Sequence, residues 1–419
     1  MKILKNKKRK YIIITSLVST FVVAGLIIIH YNSIPKEEPL IGAYIDGAYS
    51  ETLPTKGSGY KVEKIVCDNN KNASWDYNKW GIKLSNWGIR STCNIYFKSL
   101  ESFTLANKTF YLDEMQRCPT MNSDGTVTVT GIEDTYGYLC KAKDAYGDSY
   151  YYRGNVTNNY VLFAGKYWRI IRYNGDGTVR IIYDGTSAHA NGELSEDRQI
   201  GTSAFNSSYN DNAYVGYMYG ATGASTYAAA HANTNDSTIK TYIDNWYKTN
   251  ILGTANEQYL ADNVFCNDRS LAGNNTGTGA GTSKSYYRWY NGPWESDGYN
   301  SSMKLTCPQQ NDAFTVSDTA NGNGALTYGI GLVTTDEVVL AGGWNSNNFN
   351  YYLYTGRLYW PMSPFYFTGS YAYGHDVNVY GGCAGNHHVD GAIGARPVFN
   401  LTSDILKNGD GTSSNPYHA

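Results

Sequence analysis

The chain has 419 residues, a formal net charge of -2, 17% charged residues, 44 glycines and an aromatic share of 15% carried mostly by 40 tyrosines. That length exceeds what one hydrophobic core fills, so two or more domains are expected, and the composition excludes both a disordered chain and a helical bundle. The excess of Tyr, Asn, Ser, Thr and Gly predicts a mostly β, α+β chain with long loops and no basic patch for nucleic acid.

Residues 1–10 carry six positive side chains (Lys2, Lys5, Lys7, Lys8, Arg9, Lys10), which leaves about -8 for the rest. Residues 11–30 (YIIITSLVSTFVVAGLIIIH) hold no Lys, Arg, Asp or Glu, long enough to cross a bilayer of ~30 Å as a helix. The positive-inside rule then makes residues 1–10 a cytoplasmic tail, residues 11–30 an uncleaved single-pass anchor in the cell membrane, and the bulk extracellular. Small residues at Val22, Val23 and Ala24 offer the alternative of a cleaved signal peptide. Residues 31–40 form a Pro- and charge-bearing linker.

Residues 41–98 contain three short runs, of which the first alternates and closes at Cys67 while the last opens at Cys93. This predicts a small β sandwich closed by a Cys67–Cys93 disulfide. Residues 99–155 are expected to be a connecting β region, with Cys118 paired to Cys140 around a turn and a strand. Residues 156–419 form the larger domain. It opens with strands over 160–172 and 178–183, joined through Asn174-Gly-Asp-Gly, a tight-turn signal.

A helix is predicted over residues 234–250, capped by Asp236 or Ser237. Ile239, Tyr242, Ile243, Trp246 and Tyr247 recur on one face at helical spacing. A second helix starts at Thr334 with Glu337 three positions on, a capping box, and stops at Gly342-Gly343. Between them, residues 271–300 are expected to be a surface excursion tied at its ends by Cys266 and Cys307. None of the seven cysteines forms a C-x-x-C pair, which disfavours zinc ribbons and thioredoxin-like sites.

Residues 359–401 join an aromatic opening to an apolar close around a middle of Gly, Ser, Tyr, Asn and His. His375, Asp376, Cys383, His387, His388 and Asp390 cluster there, but among glycines and at no metal-ligand spacing, so neither a metal nor a cofactor is expected. From Val338 to Leu406 there is no Lys, Glu or Gln. Arg396, in an apolar strand, reads as a structural cation.

Four runs carry a resemblance: residues 160–185 (YVLFAGKYWRIIRYNGDGTVRIIYDG), 327–343 (TYGIGLVTTDEVVLAGG), 352–369 (YLYTGRLYWPMSPFYFTG) and 394–417 (GARPVFNLTSDILKNGDGTSSNPY). Together they resemble uncharacterised anchored surface proteins of low-GC Gram-positive-type bacteria, and residues 41–98 resemble a small repeat-like β domain found ahead of such modules. The hairpin with Trp168, the Trp360-x-x-Ser363 element and the closing Gly394-Ala-Arg-Pro-Val further resemble the C-type-lectin-like fold. That fold is used by formylglycine-generating enzymes and by target proteins of diversity-generating retroelements. The enzyme needs a reactive cysteine pair, and only Cys383 stands in the corresponding part. In retroelement targets the C-terminal segment is diversified at adenine-bearing codons, a process that does not yield Lys, Glu or Gln.

The expectation is therefore a non-enzymatic, membrane-anchored binding or adhesion protein. Its contacts with an unknown protein or glycan on another cell or host surface would come from Tyr352, Tyr354, Tyr366, Tyr371, Tyr373, His375, Asn378, Tyr380, Asn386 and His387. The alternatives are an extracytoplasmic enzyme using Cys383 with His387 or His388, and a structural cell-surface component.

Overall fold

In the computed structural model the described residues are 40–68, 72–77, 79–85, 92–112, 117–291, 302–344, 347–383 and 385–419. The tail, anchor and nearly all of the linker expected over residues 1–40 lie outside them. Among the described residues no helix is long and apolar enough to cross a membrane. The chain divides into one unit ending at Ser102 and another running from Phe103 to Ala419.

The first unit contains β1 (Leu40–Ile45), β2 (Ala48–Ser50), β3 (Tyr60–Cys67), β4 (Asn72–Asp76), β5 (Gly81–Ser85) and β6 (Thr92–Ser99). Four strands form a sheet in the order β2-β1-β6-β3, in which β1 and β6 run parallel, and β4 and β5 pair as a separate hairpin. Strand alternation sets the faces: Ile95 and Phe97 of β6 are buried with Ala43, and Trp75, Trp80 and Ile82 pack against them. Cys67 and Cys93 stand directly opposite across β3 and β6 and form the expected disulfide. A closed loop of that length contributes about 3 kcal/mol on the chain-entropy account.

The second unit's principal strands are β7 (Gly137–Asp144), β8 (Gly147–Gly154), β9 (Tyr160–Phe163), β10 (Lys166–Tyr173), β11 (Val179–Gly185), β12 (Ser285–Tyr286), β13 (Pro364–Phe367), β14 (Ala372–Asp376), β15 (Gly385–His388) and β16 (Val398–Leu401). Its helices include α1 (Thr238–Asn250) and α2 (Thr335–Ala341). An antiparallel sheet runs β7-β8-β10-β11-β16, with β9 also paired to β10. All seven residues of β11 and all four of β16 are buried, so this sheet is covered on both faces.

Two expectations are corrected here. Residues 99–155 are no separate connector, because Phe110, Leu112, Val127 and Val129 enter the larger core and β7 and β8 belong to its sheet. The run 160–172 is two strands, folded back at Ala164 and Gly165, whose φ values of 50° and 66° make the paired left-handed turn that matches strand twist. The turn predicted at Asn174-Gly-Asp-Gly holds: Asn174 N donates to Thr178 O, and Gly177 has φ 82°.

α1 takes the cap expected at Ser237, whose Oγ accepts from Lys240 N, so it begins one turn after Thr234, and it buries Ile239, Ile243 and Tyr247. α2 has the full reciprocal capping box between Thr334 and Glu337. Cys118–Cys140 and Cys266–Cys307 are paired as expected. Residues 271–291 are not a surface excursion: Tyr287 and Trp289 are buried, and β12 pairs with β13. Two bulky apolar rings so close together anchor the segment inward, which its glycines and serines had masked.

Charge in this core is concentrated around single acids. Asp184, wholly buried at the end of β11, faces Arg198 Nη2 at 2.7 Å, Arg396 Nη2 at 3.0 Å and Arg169 Nη1 at 3.7 Å. Carbonyl oxygens absorb the remaining guanidinium protons: Val156 for Arg169, Glu193 and Tyr352 for Arg198, Tyr183 and Leu353 for Arg396. Arg396 is thus the structural cation its apolar strand suggested.

Candidate functional site

The segment from β13 to β15 forms, with β12, a second four-stranded antiparallel sheet in the order β12-β13-β14-β15. One residue on each strand falls in a single cross-strand row: Tyr286 opposite Tyr366, Tyr366 opposite Tyr373, and Tyr373 opposite His388. Directly opposed residues share a face, so every strand places one ring on the same side. Four strands at ~4.8 Å spacing make this row about 14 Å wide.

The rings are in contact along its length. Tyr366 and Tyr373 stack with centroids 4.4 Å apart and planes 9° from parallel, and Tyr373 meets His388 at 4.2 Å. Tyr373 Oη and His388 Nε2 share a 2.5 Å hydrogen bond. The row continues at one end through Tyr290, stacked on Tyr286 at 3.8 Å, and at the other through Tyr371, 5.0 Å from His388 and stacked on Tyr209 at 5.0 Å. Tyr371 is 42% exposed and Tyr209 37%, while the others are half-buried. Lys284 closes the Tyr286 end, its ammonium 5.2 Å from the ring, and its hydrogen bond holds the Tyr286 phenol below the usual range.

The opposite face belongs to the core. Gly374, next to Tyr373, lies under Trp360, whose ring would be 3.2 Å from a Cβ at that position. Trp360 is fully buried and donates from Nε1 to Ser203 O at 2.9 Å. It also meets the His387 ring at 5.9 Å. A rigid indole beneath a strand without side-chain bulk fixes the height of the row above the core.

Of the ten expected contact residues, Tyr366, Tyr371 and Tyr373 lie in this row. Asn386 is exposed on β15, and His387 on the same strand points to the Trp360 side. Tyr380, 56% exposed, tips the loop between β14 and β15, where Asn378 Oδ1 accepts from Tyr380 N and Gly382 N and so shapes the loop. The other three are corrected. Tyr352 is wholly buried, with the Arg169 guanidinium 5.6 Å from its ring, and Tyr354 is 5% exposed. His375 is wholly buried between Trp289 and Phe365, and burial pushes its imidazole down to about 4. Tyr209, Tyr286, Tyr290 and His388 were missing from the expected surface. Only the tyrosine-rich run 286–290 carried a hint of it.

Cys383 is buried, its thiol donates weakly to Trp344 O at 3.8 Å, and burial pushes its pKa well above the usual range. Such a thiol is a poor nucleophile. Asp376 is 4% exposed and its Oδ1 has no hydrogen-bond partner, while His387 Nδ1 stands 3.8 Å from its Oδ2. Burial pushes the Asp376 carboxyl up to about 6. Among the described residues no His, Cys, Asp and Glu group is arranged to hold a metal ion.

A narrow cleft at the start of α2 is lined by Arg172, Arg180, Asp268, Arg288, Asp336 and Glu337. Its buried charges are matched internally: Arg180 Nε is 2.6 Å and Arg172 Nε 3.1 Å from Glu337 Oε1, and Arg288 bonds both Asp268 and Asp336. Burial alone would raise the Glu337 carboxyl, but Arg180 and Arg172 outweigh it and hold it below its usual range. The cleft is an ionic brace between α2 and the main sheet, with its functional groups already spent on one another. No family model, curated protein or solved structure matches the chain.

Proposed function

We propose that the chain is a membrane-anchored extracellular binding protein whose larger unit has a C-type-lectin-like fold and meets its partner through the aromatic row on β12 to β15. The observation that carries this reading is the alignment of one ring per strand on an accessible face whose reverse is locked by Trp360. Rings held by their neighbours offer large amphipathic area at little entropic cost, the physics of tyrosine-rich paratopes. The absence of Lys, Glu and Gln from Val338 to Leu406 supports a surface built from Tyr, Asn, Ser, Gly and His.

Support for the lectin-like fold comes from β16 returning beside β11, so that the sheet is closed by strands far apart in sequence with long irregular segments between them. The partner is a protein or a glycan on another surface, and the chain carries no chemistry of its own. Cys383 speaks against the enzymatic alternative, since its thiol is sealed and held protonated.

The test is a cell-binding and glycan screen of the parent and of a Tyr366→Ala, Tyr371→Ala, Tyr373→Ala triple variant. Binding is expected to fall at least a hundredfold, with the thermal midpoint within a few degrees of the parent. Undiminished binding by a folded variant would refute the assignment of this face.

A further inference from the structure

The aromatic row turns its rims outward, because its ring faces are spent on one another. Its six tyrosines stand in three parallel pairs: Tyr286 with Tyr290 at 3.8 Å, Tyr366 with Tyr373 at 4.4 Å and Tyr371 with Tyr209 at 5.0 Å, none more than 13° from coplanar. Lys284 stands over the Tyr286 ring, and the His388 ring meets both Tyr373 and Tyr371. A sugar ring docks by laying its C–H bonds on an open, electron-rich aromatic face. The stacked pairs leave little such face to offer.

Beside the row the sheet ends in an open edge. β15 is the last strand in the order β12-β13-β14-β15. At the other end the edge is closed, since Ala272 N donates to Tyr286 O and Arg288 N to Ser270 O. In an antiparallel pair, opposed residues alternate between those that exchange backbone hydrogen bonds and those whose N–H and C=O groups point away. Val389 N donates to Ala372 O, and His375 N turns away from β15 to Ser363 O. In the register that sets Tyr373 opposite His388 and His375 opposite Asn386, the backbone groups of Asn386 and His388 therefore point out of the sheet. His388 O accepts from Gly391 N, while among the described residues no hydrogen bond engages Asn386 N, Asn386 O or His388 N. Asn386 is exposed. The strand, Gly385-Asn-His-His, has no lysine, proline or bulge to guard this edge.

We propose that the partner of the row is a protein, which adds an extended segment to β15 as a fifth strand. The proposal rests on the reading of the row as the binding face. A peptide backbone supplies the alternating N–H and C=O groups that Asn386 and His388 lack, and every second side chain of the added strand would fall on the row's side of the sheet. That side chain continues the row past His388, at the spacing of one more strand. Backbone pairing gives the affinity and the aromatic rims select the side chain.

The experiment presents the full chain in detergent solution to a random twelve-residue peptide library displayed on phage and, in parallel, to a glycan array. Selected peptides are expected to slow deuterium exchange at the amides of Asn386 and His388 at least tenfold, read by fragmentation mass spectrometry. Methylating alternate peptide amides should abolish binding, while methylating those between should leave it unchanged. Asn386→Pro removes an outward N–H that the sheet does not use, and should weaken binding at least tenfold; Asn386→Ala, which keeps the N–H, should bind within threefold of the parent. If the proline variant does not fold, the exchange and methylation results decide alone. The proposal is overturned by a library that yields no such peptide, by peptides that protect other amides, or by an alanine variant as weak as the proline variant. Binding to glycans alone also overturns it and assigns the row to a sugar. Failure of the row reading shows separately, as selected peptides that bind the Tyr366→Ala, Tyr371→Ala, Tyr373→Ala variant as tightly as the parent.

Discussion

Replacing Asp184 by Asn tests the electrostatic account of the core most severely. The substitution keeps the size of the side chain and removes the one negative charge shared by Arg169, Arg198 and Arg396, at 3.7, 2.7 and 3.0 Å. None of the four side chains is more than 1% exposed, so water cannot take over solvation of the guanidinium groups. Breaking a buried pair by deleting one partner costs ~3–5 kcal/mol. Here a single deletion strands three cations, and the upper end of that range is expected. For a unit of this size ~5 kcal/mol corresponds to a fall of roughly 10 °C or more in the thermal midpoint. The assay is thermal and urea unfolding of the disulfide-intact protein at pH 7, followed by near-ultraviolet circular dichroism. Asp184→Glu, which retains the charge, should recover part of the loss. If Asp184→Asn unfolds within 2 °C of the parent, the carbonyl oxygens alone hold the guanidinium groups and the account given for this cluster is wrong.

Two further expectations concern pH. Burial raises Asp376 to about 6, above the ~3.9 of an unfolded chain. The folded state therefore binds this proton more tightly, and the contribution of Asp376 to stability declines as pH rises from about 4 through 6. Asp376→Asn should thus stabilise the protein by on the order of 2 kcal/mol at pH 7.5 and have little effect at pH 4; an unchanged urea midpoint at pH 7.5 would contradict this. His231 and His375 behave in the opposite sense, since burial pushes them down to about 2 and about 4. The stability they permit is complete above pH ~6.5 and is lost as pH falls toward their folded values. His231→Phe, which keeps a ring against Tyr227, should move the acid-unfolding midpoint to lower pH, and a midpoint that stays put would place the acid sensitivity elsewhere.

What the sequence disclosed and what it hid divide along the range of the interactions involved. α1 and α2 were visible because Ser237 and the Thr334/Glu337 pair act within four residues of where they stand. Each expected disulfide closes around a local turn or segment, and all three form. The turn at Ala164-Gly165 was missed because alanine seldom takes a φ of 50°, and the apolar pattern runs through it unbroken. The aromatic row was found only in part. A tyrosine's identity does not say which way it points: Tyr352 and Tyr354 turned inward, while Tyr366 and Tyr373, in a strand pair, turned outward. Tyr209, Tyr286 and Tyr290 join the row from remote parts of the chain, through pairing that no local pattern encodes.

The place of β16 has a consequence for how the protein comes into being. The free edge of β11 and the charge of Asp184 wait for Val398–Leu401 and Arg396, the latter 212 residues further along the chain than Asp184. The larger unit cannot complete its central sheet until that distant strand has been made. Pairings of such wide sequence separation are slow to form. Until that strand pairs, β11 keeps an unpaired apolar edge, and such an edge invites pairing with other chains.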